Sequence, residues 1–284
     1  MENPLDHFVL HPLIPIHLFG FDLSINQAVV MMWVVVAAVF LFFQTAVRSR
    51  QFVPTKVQGL AEMSVEFLRG LVLENMGEQG MRFFPFIVTL FFFILFANLL
   101  GLIPGTYTIT SQIMVTALFA IVVYITSLVV GFMVHGLHFF KILVPPGTPG
   151  WLLPLMLPIE VVSQLARPLT LAVRLFANMT AGHTILIVLF GMVASMSFGI
   201  GWLPVAMAIA ILILSKNMAP KQKVITLLVG SLLTIVLSIY FGSGWLPFIA
   251  AGLVYALEVF IAFIQAYIFT ILATVYLGDA IKLH

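Results

Sequence analysis

Eight polar side chains stand inside otherwise apolar stretches of this chain, and their types suit ion transfer. They are Glu160, Arg167, Arg174, His183 and Glu258, with the amides Asn98, Asn178 and Gln265. An ionisable group within a lipid-facing run is costly, so each is a candidate functional group from the outset. Arginine stays protonated in proteins, which makes Arg174 a fixed positive charge and a poor proton carrier. Such a charge holds a partner carboxylate ionised and favours release of its proton. Histidine and glutamate both relay protons near neutral pH once their surroundings shift them. An acid and an imidazole on one side of a fixed arginine, with a second acid on the other, make two half-paths separated by a blocked centre.

The spacing adds geometry. Glu160, Arg167 and Arg174 recur every seven residues, and on a helix each step drifts by only about 20°. Asn178 is four residues beyond Arg174 and shares its face. His183 is nine beyond, which at roughly 100° per residue puts it on the opposite side. Pro168 bends the helix between Arg167 and Arg174. In the last apolar segment Gln265 follows Glu258 by seven. If that segment packs antiparallel to the first, Glu258 falls at the depth of His183, and Gln265 at the depth of Arg174. Spacing alone leaves blander readings open. Arg174 could pair with a glutamate of its own chain, and His183 could be a hydrogen-bonded packing residue. Glu160 and Arg167 could be interfacial, and Asn98 a helix-packing amide. Aromatic clusters such as Phe91-Phe92-Phe93 are expected to face lipid.

Composition says what must surround these residues. The chain has 284 residues, 62% of them hydrophobic and only 8% charged, with a mean hydropathy of +1.20. A soluble domain carries roughly 25% charged residues, so most of this chain must be solvated by lipid. Within lipid the backbone must satisfy its own hydrogen bonds, by helices or a closed barrel. The apolar runs are continuous rather than alternating, which favours helices. With no cysteine there is neither a disulfide nor a thiolate metal site. A net charge of +2 is too small to imply nucleic acid. Met1 to Phe19 lacks the basic start of a cleaved signal peptide.

The expected fold class is all-α: a polytopic membrane helical bundle with long tilted helices and an amphipathic interfacial helix. A single transmembrane domain is expected over 1–284, with spans near 26–43, 83–103, 112–134, 159–192, 196–215, 224–241 and 245–277. The interfacial helix falls near 57–76, where Glu62, Glu66 and Arg69 share one face and Leu60, Met63, Phe67 and Leu71 fall largely on another. Prolines 145, 146, 149, 154 and 158 are expected to make the stretch before Ile159 irregular. Basic residues at Arg48–Lys56, His135–Lys141 and Lys216–Lys223 fall on one side of this alternation, which the positive-inside rule assigns to the cytoplasm. Gly201-Trp202-Leu203-Pro204 recurs as Gly244-Trp245-Leu246-Pro247, a turn repeated at two external corners or a chance reuse of interfacial residues.

Three segments resemble a known family. Pro168-Leu-Thr-Leu-Ala-Val-Arg174-Leu-Phe-Ala-Asn178-Met-Thr-Ala-Gly182-His183 is similar to the signature of ATP synthase subunit a. So is Ala262-Phe-Ile-Gln265-Ala-Tyr-Ile-Phe-Thr-Ile-Leu-Ala-Thr-Val-Tyr276-Leu, and Asn98-Leu-Leu-Gly-Leu-Ile-Pro104 resembles the family's second span. The resemblance implies a non-catalytic, proton-translocating subunit beside a rotating ring of c subunits, each with one essential carboxylate. Arg174 would match the essential arginine that faces the ring and separates two half-channels. His183 and Glu258 would match the outer half-channel, Glu160 the cytoplasmic exit, and Asn178 and Gln265 the polar neighbours of the arginine. The implied partners are the c ring, the peripheral-stalk b subunits and the lipid bilayer of a bacterial plasma membrane or a mitochondrial inner membrane. No cofactor or metal is implied. No Gly-rich Lys-Ser/Thr loop is present, so nucleotide would bind only to other subunits. Residues 199–243 depart from the expected pattern and look like an added hairpin. A secondary transporter and a structural subunit are the competing readings. The first predicts an inverted repeat, which the sequence lacks, and the second predicts that Arg174 is dispensable.

Overall fold

The computed structural model describes residues 12–14, 17–18, 21–22, 24–48, 55–103, 106–136, 138–139, 152–195, 209, 211, 213, 229–232 and 245–282. Long apolar helices dominate: α1 (Gln27–Arg48), α2 (Lys56–Met76), α3 (Phe84–Gly101), α4 (Ile113–His135), α5 (Leu153–Ser195) and α6 (Trp245–Ile281). Among the described residues five helices are long and apolar enough to cross a membrane, so the chain is all-α in class and a multi-pass membrane protein. Two short antiparallel pairings precede α1: Pro12–Ile14 with Ile25–Asn26, and His17–Leu18 with Phe21–Asp22. The expected spans 196–215 and 224–241, apart from residues 209, 211, 213 and 229–232, and most of the repeated turn lie outside the described residues.

The chain divides into two units, one made of Leu5–Ala181 with Val259–His284, the other of Met1–Pro4 with Gly182–Glu258. The core of the first runs through Leu68, Val72 and Met76 of α2, Ile87, Phe92 and Leu95 of α3, and Val123 of α4. It continues in Leu171 and Leu175 of α5 and Phe269 and Leu277 of α6. Beside Thr270 and Thr274, which are fully buried, the nearly fully buried apolar positions along the part of α6 in this unit are Ala262, Ala266, Phe269, Ala273, Leu277 and Ala280. They recur every three or four residues, and their small members let a neighbouring backbone come close, the usual packing solution inside a bilayer.

α3 corrects the aromatic expectation. Phe91 and Phe92 are buried rather than lipid-facing, and Phe92 stacks edge-on with Phe43 at 4.8 Å between ring centroids. α3 is apolar on every side, and a helix of that kind sits among other helices. α1, by contrast, keeps Trp33, Phe40 and Leu41 exposed. In α2, Ala61, Leu68, Leu71, Val72 and Met76 face the protein, while Leu60, Met63 and Phe67 are exposed beside Glu62, Glu66 and Arg69. Thr55 caps α2, its hydroxyl accepting from the Gln58 N–H at 3.4 Å, and Gly77 ends it with φ 73°, a conformation that favours glycine.

α5 begins at Leu153, so the stretch holding Pro154 and Pro158 is helical rather than irregular. Pro154 lies in the first turn, where its missing N–H is not needed. Pro158 forgoes one bond to the Pro154 carbonyl. Pro168 forgoes another, and Thr170 turns its hydroxyl back to the Arg167 carbonyl at 2.9 Å. The membrane-compatible part of α5 has 41 residues. At ~1.5 Å per residue, 41 residues are about twice what a straight upright crossing of a ~30 Å hydrocarbon core needs.

Candidate functional site

α5 has two unlike sides near its centre. Leu171, Ala172, Leu175 and Met179 are buried. Leu169, Val173, Ala177 and Ala181 are exposed, and Arg174 and Asn178 stand among them. The cause is the three-to-four-residue period: the leucines bury one stripe, and whatever lies between them turns outward. Among the described residues Arg174 makes no ion pair. A bare guanidinium on an outward apolar face is costly in lipid, and none of the described residues supplies its counter-charge.

The other polar candidates of this unit are placed differently. Glu160, half-buried, accepts a hydrogen bond from Gln164 Nε2 at 3.2 Å. Gln265 and Asn98 are buried, at 5% and 0% exposure. Gln265 adjoins Ala266, a member of the core that also contains Leu171 and Leu175. Arg167 pairs with Asp279 at 3.3 Å and lies over the Tyr276 ring, 5.5 Å from its centroid. The same-chain pairing that spacing allowed for Arg174 is thus made by Arg167, with an aspartate near the chain end.

The second unit holds His183 and Glu258. Glu258 is 5% exposed. Its carboxyl rests against the backbone of α5 at Gly182, next to His183: a Cβ built on Gly182 would lie 2.2 Å from Glu258 Oε1 and 2.7 Å from Cδ. His183 is half-buried. Gly182 lies within the signature segment, where the sequence alone assigns it no role. Its glycine identity inside a helix, which costs ~1 kcal/mol against alanine, was the available signal. Gly182→Ala is expected to displace the Glu258 carboxyl and lower any ion transfer that depends on it several-fold. Gly191→Ala, where a Cβ meets nothing within 4 Å, is expected to leave that activity unchanged. Equal activity of the two variants would show that the close approach has no function.

Geometrically, the described residues offer an uncompensated cation on an outward face, a buried carboxyl beside an imidazole-bearing turn, and a half-buried acid nearer the start of α5. They contain no group of three metal-ligating side chains. Carboxyl and imidazole groups can each bind and release a proton, whereas the guanidinium keeps its charge.

Comparison with known proteins gives a consistent result. The family model described as ATP synthase A chain matches residues 29–219. The chain is 42% identical over 286 residues to ATP synthase subunit a of Magnetococcus marinus, covering 99% of this chain and 94% of the relative. It is 42% identical over 280 residues to that of Agrobacterium fabrum, covering 99% and 98%. With that of Rhodospirillum rubrum it is 36% identical over 284 residues, the full length of both. These alignments run through 199–243, so the segment expected to be an added hairpin has a counterpart in these relatives. The chain belongs to the ATP synthase A chain family.

Proposed function

We propose that this member of the ATP synthase A chain family is the proton-translocating membrane subunit of the synthase, acting as one membrane domain beside a ring of c subunits. The observation that carries this is Arg174, uncompensated and outward on an apolar face. Its counter-charge is the ring carboxylate that passes it. His183 and Glu258 serve the outer half-path, Glu160 serves the cytoplasmic one, and Arg174 keeps the two apart. Asn178, on the arginine's face, and Gln265 hydrate or orient the guanidinium. The chain is not itself catalytic. Nucleotide binds to other subunits, and the peripheral-stalk b subunits hold this one against rotation. The membrane is a bacterial plasma membrane, in keeping with the bacterial relatives.

Energy supports a single arginine as the barrier. One elementary charge crossing 100 mV gains ~2.3 kcal/mol. An unpaired carboxylate against lipid costs at least about 2.5–3.5 kcal/mol. A ring site is therefore neutral where it faces lipid and ionised only beside Arg174 or in water. The direction of rotation follows the side with the higher proton activity.

The face is tested by cross-linking. The chain has no cysteine, so a single Ala177→Cys reports only its own position. It is expected to form a disulfide with cysteines introduced near the ring carboxylate. Cross-linking from the buried side, Leu171→Cys, with none from Ala177→Cys, would reverse the assignment.

A further inference from the structure

The C-terminal end of α6 is gripped by three other elements, all within one unit. Asp279 Oδ2 accepts from Arg167 Nη1 of α5 at 3.3 Å. The Arg167 guanidinium also covers the Tyr276 ring. His135, closing α4, brings its Nε2 to 3.0 Å from the Ile281 carbonyl. Lys282 Nζ donates to the Asn75 carbonyl at 3.1 Å, in the last turn of α2. Gly278 permits that approach, since a Cβ there would lie 2.7 Å from the Asn75 carbonyl oxygen. The last carbonyls of a helix have no donor within it, and His135 supplies one of them from outside.

The grips differ in what they fix. His135 and Lys282 bind backbone carbonyls, which any residue at those positions would present. Arg167 reads side chains: Nη1 on a carboxylate, with Cζ over an aromatic ring one turn away, constrains both distance and direction. An exposed ion pair alone adds little, but here pair and stack act through one half-buried group. α5 carries Arg174 seven residues beyond Arg167, and α6 carries Gln265 fourteen residues before Asp279. A slip of one turn, ~5.4 Å, would carry Gln265 that far along α5.

We propose that Arg167, paired with Asp279 and stacked on Tyr276, is a positioning residue that sets the axial register of α6 against α5 for ion transfer. The inference rests on the proton-translocating reading above. Its test therefore has one arm independent of pumping. In the assembled complex, spin labels at Val162→Cys and Phe263→Cys, on exposed positions of α5 and α6, report the distance between the helices. Unlabelled complexes report ATP-driven pumping, with assembly checked by retention of the ring. Arg167→Ala and Asp279→Ala are each expected to broaden the distance distribution and lower pumping about threefold. The reversed pair, Arg167→Asp with Asp279→Arg, is expected to recover both. Distributions as narrow as the parent's in both single variants, or a reversed pair no better than either, would overturn the positioning role. Altered distances with full pumping would overturn its link to transfer. If Arg174→Ala pumped normally, the function would fail while the distance arm still decided the register.

Discussion

Arg174→Ala is expected to lower ATP-driven proton pumping about 100-fold while the complex stays assembled. The argument is electrostatic. On the proposed reading, a ring carboxylate beside the guanidinium is held ionised and must give up its proton before it passes. Without it, the ionised state faces an apolar surface, at a cost of about 2.5–3.5 kcal/mol by insertion scales. Each 1.36 kcal/mol is a factor of ten, which brings the loss to about 100-fold. Assembly should survive, because Arg174 is exposed and makes no ion pair among the described residues, so its removal opens no cavity in this chain. Arg174→Lys is expected to retain part of the activity, since it keeps the charge and loses the planar fork.

Exchanging His183 and Glu258 is expected to preserve at least tenfold more pumping than removing either one. The Glu258 carboxyl sits against Gly182, beside His183. The proposed outer half-path uses an acid–base pair there, in either order, and a positioned proton-transfer group contributes ~10²–10⁴-fold. His183→Ala and Glu258→Ala are therefore each expected to be severe. The exchanged variant still has both groups within the same two turns. Equal loss in the exchange and in both single variants would dissolve the pair.

The fold class was legible because a chain with 8% charged residues has few ways to be solvated. The details that misled share one cause: local pattern does not show what packs on each side. Phe91 and Phe92 sit in a stretch that is apolar all round, and periodicity cannot tell a lipid neighbour from a protein one. Pro154 and Pro158 read as breakers, although the first turn tolerates Pro154 and α5 continues past the one bond that Pro158 forgoes. Arg167 is separated from Asp279 by 112 residues, and nothing local joins them. The seat of Glu258 on Gly182 was hidden for the same reason. Register arithmetic brought Glu258 to the depth of His183, but only coordinates show a carboxyl pressed on a glycine. Arg174 stands out in the sequence, because an arginine inside an apolar helix has few explanations.

The most direct test of the barrier is passive proton flow through the membrane sector with the ring locked by a cross-link to this chain. A locked ring cannot carry protons around. The account predicts that the parent complex is then proton-tight, and that Arg174→Ala leaks across the opened centre. A locked Arg174→Ala complex as tight as the parent would contradict the claim that this arginine separates the two half-paths.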